Sequence, residues 1–197
     1  MDMKTLRKKL KAGLKSKRFY SISALILFFT FFYLIISQFY AFGISNTPSM
    51  DTFCFINEKY TALRPTIKDG KAVVFPAPKR FFLWKKYYEA NGLHYPKKTL
   101  LVKYVACTHG QILNTVGRKD YCNGRFIAEI PNYAVLIPTP HMKIKGFPVW
   151  HNYKIPAGYF FAASPDKYGL DSRYFGLVKD EVVKYNTIPL FPKSVIR

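Results

Sequence analysis

The longest apolar run in the chain lies near the N-terminus. No charged residue occurs between Phe19 and Met50, and the most apolar part extends from Ile22 to Phe42. In a helix rising about 1.5 Å per residue, about 20 residues cross a hydrocarbon core that is about 30 Å thick. The pattern predicts a membrane anchor over residues 19–43, after a basic tail over residues 1–18 and before an external domain over residues 44–197.

Charge orients this anchor. Residues 1–18 contain eight Lys or Arg and one Asp, and basic flanks stay on the cytoplasmic side of a membrane. We therefore expect a single-pass protein of a bacterial inner membrane with a periplasmic C-terminal domain. A cleaved signal peptide is the alternative, because Ala41-Phe42-Gly43 resembles a cleavage site. The apolar run, however, is longer than the about 7–15 residues usual in signal peptides.

Beyond the anchor, short β-prone runs are separated by Gly, Pro and Asp turn signals. Phe81–Ala90 has mixed helical spacing and stops at Asn91-Gly92, which predicts one short helix. We therefore predict a mainly β fold, with an antiparallel external domain that follows one transmembrane helix. The predicted strands are Lys71–Phe75, Thr99–Ala106, Gln111–Val116, Arg125–Ile130, Tyr133–Ile137, Tyr159–Ala163, Phe175–Val178 and Val182–Tyr185.

Composition limits the function classes. The 197 residues suffice for one domain and an anchor, and the formal net charge of +20 would attract anionic lipid or nucleic acid. Three cysteines are too few for a disulfide scaffold. An oxidising compartment would allow Cys107 and Cys122 to bond, which leaves Cys54 free or available for an intermolecular link. The four histidines lack zinc-type spacing and no Gly-rich nucleotide motif occurs, so no metal or cofactor is expected.

A serine follows the anchor closely. Ser49 lies in the segment Asn46-Thr47-Pro48-Ser49-Met50, where an exported chain would emerge from the bilayer. Acyl transfer needs a nucleophile and donors for the developing oxyanion, and the Ser49 amide and Thr47 hydroxyl are suited to donate. A turn that merely ends the helix is the alternative interpretation.

One lysine interrupts an apolar strand. In the run from Thr99 to Cys107, alternation places Lys103 on the same face as Leu101, Val105 and Cys107. Burial would lower the pKa of its amine, which suits a general base, and Ser–Lys pairs are a known variant of serine catalysis. An edge-strand lysine whose ammonium reaches water is the alternative.

Four blocks, in this order, resemble the signal peptidase I (S26) family. They are Thr47–Met50, Lys68–Pro76, Leu100–Ala106 with Gly110, and Leu170–Gly176. The Tyr174-Phe175-Gly176 ending and the stretch from Tyr88 to Pro96 resemble the TraF-type conjugative transfer peptidases within that family.

The resemblance implies a serine endopeptidase that needs no cofactor. Ser49 would be the nucleophile and Lys103 its base, with the Ser49 amide and the Thr47 hydroxyl as oxyanion donors. The supporting residues would be Asp171, Ser172 and Arg173, with Asp171 and Arg173 as a buried pair that holds the base strand. The implied substrate is an exported precursor, a pilin precursor in the TraF type, where some members also close the product into a ring.

The chain departs from the family pattern at several positions. Tyr104 stands where an arginine usually follows the base, and Gln111 stands where an aspartate usually ends the base motif. Gly169 replaces a serine that often contacts the lysine, so Ser164 or a water would have to take its place. No proline closely follows Met50.

Two other function classes stay open. A non-catalytic scaffold in a conjugation or secretion complex fits the departures at Gln111 and Gly169. A membrane-tethered DNA-binding protein fits the charge, but nucleic acid is not expected as a partner, because the topology places most of the chain outside the cytoplasm. The expected partners are the precursor substrate, the lipid bilayer and other proteins of the conjugation apparatus.

We predict that residues 1–18 remain in the mature protein, because the apolar run is long enough to stay in the bilayer. Intact-mass measurement of protein purified from membranes tests this. A mature chain that begins directly after Gly43 would instead identify the run as a signal peptide.

Overall fold

The structure, a computed structural model, describes residues 3–44, 50, 52, 54–59, 65–82, 98–131 and 147–190, with side chains from residue 20 onward. Residues 1–40 and 41–197 form two separate compact units. The first unit is essentially helix α1, Met3–Phe39. The segment Tyr20–Phe39 is long and apolar enough to cross a membrane. A signal sequence near the N-terminus would have the same properties.

The second unit is built mainly from antiparallel strands, as predicted. The strands are β1 (Tyr40–Ile44), β2 (Cys54–Glu58), β3 (Ala72–Pro76), β4 (Leu100–Cys107), β5 (Ile112–Val116), β6 (Lys119–Cys122), β7 (Arg125–Glu129), β8 (Tyr153–Lys154), β9 (Tyr159–Ala163), β10 (Val178–Lys179) and β11 (Tyr185–Leu190). A one-turn helix α2 covers Ser172–Phe175, and a 3₁₀ turn covers Asp180–Val182.

The described strands form two sheets. The larger has the order β1-β2-β11-β3-β4-β9-β10, and the smaller has the order β7-β6-β5-β8. Strand β4 is central in the larger sheet, where it pairs antiparallel with β3 on one side and β9 on the other. Most of the core is aliphatic and aromatic, and its largest cluster contains Val73, Phe75, Val105 and Phe160.

Alternating apolar runs predicted strands well. The observed strands β3, β4, β5, β7 and β9 each agree with prediction to within one residue at either end. The predicted anchor, however, is helical only to Phe39, since Tyr40–Ile44 forms a strand of the larger sheet. The prediction for Tyr133–Ile137, and that for most of the helix at Phe81–Ala90, lie outside the described residues.

Two strand predictions near the C-terminus are wrong. In place of a strand at Phe175–Val178, Ser172–Phe175 forms a helical turn, because the Asp171 carboxylate accepts a hydrogen bond from the Arg173 amide at 3.1 Å and caps it. In place of Val182–Tyr185, a strand starts only at Tyr185. Strands β2, β6 and β8 escaped prediction because their sequences mix charged or polar side chains into both faces.

A disulfide links the two sheets. It joins Cys107, the last residue of β4, to Cys122, the last residue of β6, with the two Cα atoms 5.7 Å apart. Both cysteines are buried in a second core cluster with Leu113 and Phe161. The smaller sheet is therefore covalently attached to the strand that carries Lys103.

We expect reduction of this disulfide to lower the free energy of unfolding by about 3 kcal/mol, because it closes a loop with a sequence separation of 15. Urea unfolding of the detergent-solubilised chain, with and without dithiothreitol, measures the change. The Cys54→Ala variant, which lacks the free thiol, should lose the same amount. An unchanged midpoint on reduction would show that the bond does not stabilise the fold.

Candidate active site

Lys103 lies in the middle of β4 on its buried face. The pairing places it opposite Val73 of β3, and only 2% of its surface is exposed. Leu101, Val105 and Cys107 share this face and are buried, as the alternation predicted. Strand β4 is flanked on both sides and the amine is out of water, so the alternative of an edge-strand lysine is wrong.

Burial changes the chemistry of this amine. Loss of hydration lowers the pKa of Lys103 from its ordinary value of 10.5 to about 8; the Asp171 carboxylate opposes this shift and Arg173 adds to it. With a pKa of about 8, roughly one amine in ten is neutral at pH 7, compared with about one in 3,000 at the ordinary value. Lys103 can therefore accept a proton near neutral pH.

A buried ion pair lies close to this amine. The Asp171 and Arg173 side chains are 0% and 1% exposed, and they meet through two parallel hydrogen bonds. Arg173 Nε donates to Asp171 Oδ1 at 2.7 Å, and Arg173 Nη2 donates to Asp171 Oδ2 at 2.6 Å. Burial disfavours the charge of Arg173, but Asp171 more than offsets this, so that the pKa of Arg173 is raised. The two hydrogen bonds thus fix the geometry of the pair, and the charge of Arg173 is stabilised.

The pair and its neighbour Ser172 hold strand β9, which lies beside β4. Asp171 Oδ2 accepts from the Ser164 amide at 2.7 Å, and the Ser172 hydroxyl accepts from the Ala162 amide at 2.9 Å. Ala162 is paired with Val105 in β4. A break in this pair would therefore loosen the strand next to Lys103.

The other end of Arg173 reaches beyond the larger sheet. Its Nη1 donates to the Glu129 carbonyl of β7 at 2.7 Å and to the Lys167 carbonyl at 3.0 Å. Its Nη2 also donates to the carbonyls of Asp166 and Gly169, each at 3.0 Å. One guanidinium thus fixes the loop before α2 and the smaller sheet together.

Gly169 has a steric explanation. A Cβ atom at this position would lie 2.5 Å from the Ser164 Oγ and 2.7 Å from the Ser164 Cβ, too close for any side chain. Ser164 is 7% exposed and directly follows Ala163, which pairs with Tyr104. Ser164 therefore fills the space that a side chain at position 169 would need, one register step from Lys103.

Gln111 also has a defined role. Its side-chain oxygen accepts from the Thr108 amide at 2.6 Å and from the Thr108 hydroxyl at 3.1 Å. These bonds close the turn that follows β4. Gln111 thus supplies a hydrogen-bond acceptor at the position where an aspartate was expected.

Ser49 and Thr47 lie outside the described residues, whereas Met50 is described. Met50 is 1% exposed and forms a buried cluster with Phe55 and Ala72. Val102 and Tyr104, the neighbours of Lys103 in β4, pack against this cluster. Among the described residues, no group of three or more His, Cys, Asp or Glu is placed to hold a metal ion.

One known protein family matches this chain over most of its length. A sequence profile described as signal peptidase, peptidase S26, matches residues 16–187. Among solved structures, the chain is similar to a signal peptidase I from Enterococcus faecalis V583, with 16% identity, a TM-score of 0.37, and coverage of 63% of this chain and 98% of that one. Comparison with curated protein sequences finds no match.

We predict that Lys103→Met raises the free energy of unfolding at pH 7. The unfolded chain binds a proton that the folded chain has lost between pH 8 and 10.5, so the wild type gains stability as pH rises through this window. This lowering of the Lys103 pKa corresponds to about 3 kcal/mol in the free energy of unfolding. Below pH 8 the folded wild type bears this full cost.

Urea unfolding of both proteins at pH 7, 8.5 and 10 measures the difference, which should shrink as pH rises. Lys154→Met, at an exposed position of β8, is the matched control and should show no such trend. A difference between Lys103→Met and wild type that stays constant with pH would contradict a depressed pKa.

Proposed function

The chain belongs to the signal peptidase family, peptidase S26, and we propose that it is a membrane-anchored serine endopeptidase with Ser49 as nucleophile and Lys103 as general base. Family membership supports a serine peptidase that cleaves exported precursor proteins. The observation that carries the specific assignment is the buried Lys103 amine, whose pKa of about 8 suits proton transfer near neutral pH.

The reaction follows from these roles. Neutral Lys103 accepts the hydroxyl proton of Ser49 as Oγ attacks the scissile carbonyl, and the Ser49 amide and Thr47 hydroxyl stabilise the oxyanion. The lysinium ion then returns the proton to the leaving amine as the peptide bond breaks, which leaves an acyl-enzyme. Water, activated by the same amine, releases the acyl chain and regenerates the serine.

The described residue next to the proposed nucleophile is Met50, which packs in a buried cluster with Phe55 and Ala72. That cluster contacts Val102 and Tyr104, which flank Lys103 on the same strand. The residue that follows Ser49 in the sequence is therefore packed next to the strand that carries Lys103.

The neighbours of Lys103 take supporting roles in the proposal. Asp171 and Arg173 fix β9 against β4, and the Asp171 charge favours the lysinium ion that forms during attack. Ser164 takes the orienting role of the serine that Gly169 replaces. The departures at Gln111 and Gly169, which had favoured a non-catalytic scaffold, thus have local explanations that are compatible with catalysis.

The proposed setting follows from the anchor and from the TraF-type motifs. With the basic tail in the cytoplasm, the peptidase domain lies in the periplasm close to the inner membrane. We propose that its substrate is a pilin precursor of a conjugation apparatus. The acyl-enzyme is released either by water or, where a peptide amine of the product attacks, by ring closure.

We predict that Ser49→Ala abolishes cleavage of a pilin precursor by the detergent-solubilised chain, because the variant lacks the hydroxyl that forms the proposed acyl-enzyme. Electrophoresis and mass spectrometry of the products measure the rate. For the wild type, the rate should rise with pH and level off above about 8, as Lys103 loses its proton.

Ser37→Ala is the matched control, since its serine lies in the apolar helix, where the hydroxyl donates to the Leu34 carbonyl. It should cleave like the wild type. Equal cleavage by Ser49→Ala, or a wild-type rate that is independent of pH between 6 and 9, would disprove the assignment.

A further inference from the structure

A buried threonine lies three residues after Ser49 in the sequence. Thr52 is 1% exposed, and its hydroxyl donates to the carbonyl of Leu190, which is 138 residues further along the chain. The same hydroxyl lies 3.1 Å from the Cys54 carbonyl and accepts a hydrogen bond from the Cys54 amide at 3.2 Å. A buried hydroxyl with these partners constrains its own backbone as well as theirs.

These contacts place Thr52 at the corner where two strands of the larger sheet meet. Cys54 begins β2 and pairs with Leu190, the last residue of β11. The bond from the Cys54 amide to Thr52 is a turn in which a threonine hydroxyl replaces a backbone acceptor. Thr52 therefore joins the chain that enters β2 to the end of β11.

Strand β11 connects this corner to the strand that carries Lys103. It pairs with β2 on one side and with β3 on the other, and β3 in turn pairs with β4. Thr187 of β11 lies opposite Ala72 of β3, and Ala72 lies opposite Tyr104, the neighbour of Lys103. A contact with β11 is therefore a contact with the same ladder of strands that holds the base.

Two described residues thus hold the chain shortly after Ser49. Met50 does so through its side chain, in the buried cluster with Phe55 and Ala72. Thr52 does so through its hydrogen bonds to β2 and β11. A proline close after Met50 would stiffen this segment through its ring, and the sequence has none there. The hydrogen bonds of Thr52 supply a constraint on the backbone instead.

We propose that Thr52 is a positioning residue of the peptidase: its hydroxyl fixes the backbone after Ser49 to the ends of β2 and β11, and so holds the nucleophile in place relative to Lys103. The inference rests on the proposed function. Attack by a serine requires its hydroxyl to lie within hydrogen-bond reach of the base, and a displacement of about 1 Å can lower the rate about 100-fold. Loss of this constraint should therefore affect kcat rather than substrate binding.

The test is Thr52→Val, which keeps the branched shape of the side chain and removes the hydroxyl. We expect kcat for cleavage of the pilin precursor to fall about tenfold or more, with KM within about twofold of the wild-type value. The acid limb of the pH profile should stay in place, because the burial of Lys103 is unchanged. Thr52→Ser, which retains the hydroxyl, should keep kcat within about threefold of the wild type.

The matched control is Thr187→Val. Thr187 is also buried, at 4% exposure, and its hydroxyl donates to a backbone carbonyl across the same two strands, that of Ile56 at 3.3 Å. This bond lies within the pairing of β2 and β11 rather than at the corner that Thr52 closes. Both valine variants should lower the free energy of unfolding, but only Thr52→Val should lower kcat. Equal kcat values in the two variants would overturn the proposal in favour of a purely structural role.

Hydrogen exchange tests the constraint without reference to cleavage. In the detergent-solubilised full chain, NMR should show faster exchange of the Cys54 amide in Thr52→Val than in wild type or Thr187→Val, because this amide loses its acceptor. An unchanged exchange rate would overturn the proposal. If Thr52→Val does not fold, Thr52→Ala is compared with Thr52→Ser: a kcat about tenfold higher for serine supports the role of the hydroxyl, and equal values overturn it.

The cleavage assays separate this proposal from the proposed function. If Ser49→Ala cleaves like the wild type, the proposed function fails and the positioning role fails with it. If Ser49→Ala is inactive while Thr52→Val keeps the wild-type kcat, the proposed function stands and only the role of Thr52 is overturned.

Discussion

The amine of Lys103 lies on the buried face of a central strand, where loss of hydration opposes its charge. This position destabilises the fold at neutral pH, because the unfolded chain would keep the amine fully charged in water. A hydrophobic residue of similar length would fit the same site more favourably. Buried groups with a strongly shifted pKa are concentrated at functional sites, where a neutral amine can act as a base.

The contacts around Lys103 hold the neighbouring strands in place although the buried amine destabilises the fold. Asp171 and Arg173 lie fully buried but satisfy each other through two hydrogen bonds, and their remaining donors and acceptors bind backbone groups. A buried pair of this kind contributes little net stability, but removal of either partner leaves an uncompensated charge. The pair instead contributes to the geometry of the fold. It binds the end of β9, which pairs with β4. Its guanidinium also binds a backbone carbonyl of the smaller sheet. The disulfide between Cys107 and Cys122 connects the same two sheets covalently.

Period-two alternation was a sufficient signal wherever apolar side chains decide which face of a strand is buried. It therefore predicted β3, β4, β5, β7 and β9 almost residue by residue, and it placed Lys103 on the correct face. It failed where a side chain overrides the pattern: the Asp171 cap converts the apolar segment Tyr174-Phe175 into a helical turn. It also missed strand β6 and its buried Asp120, because Lys119–Cys122 carries two charged residues and gives no apolar alternation. The burial of that carboxylate depends on pairing with β5 and β7, which no local window contains.

The chain departs from the signal peptidase pattern at several positions. There, side-chain contacts are more informative than residue identities alone. Gly169 lacks the expected hydroxyl, but the space is filled by Ser164 from the end of β9, five residues earlier in the chain. Gln111 lacks the expected charge, but its amide oxygen supplies the acceptor that the turn after β4 needs. In the first case a neighbouring side chain occupies the space, and in the second the substituted residue itself supplies an acceptor. A substitution at a motif position therefore argues against activity only if neither the substituted residue nor a neighbour can fill the same space or make the same hydrogen bonds.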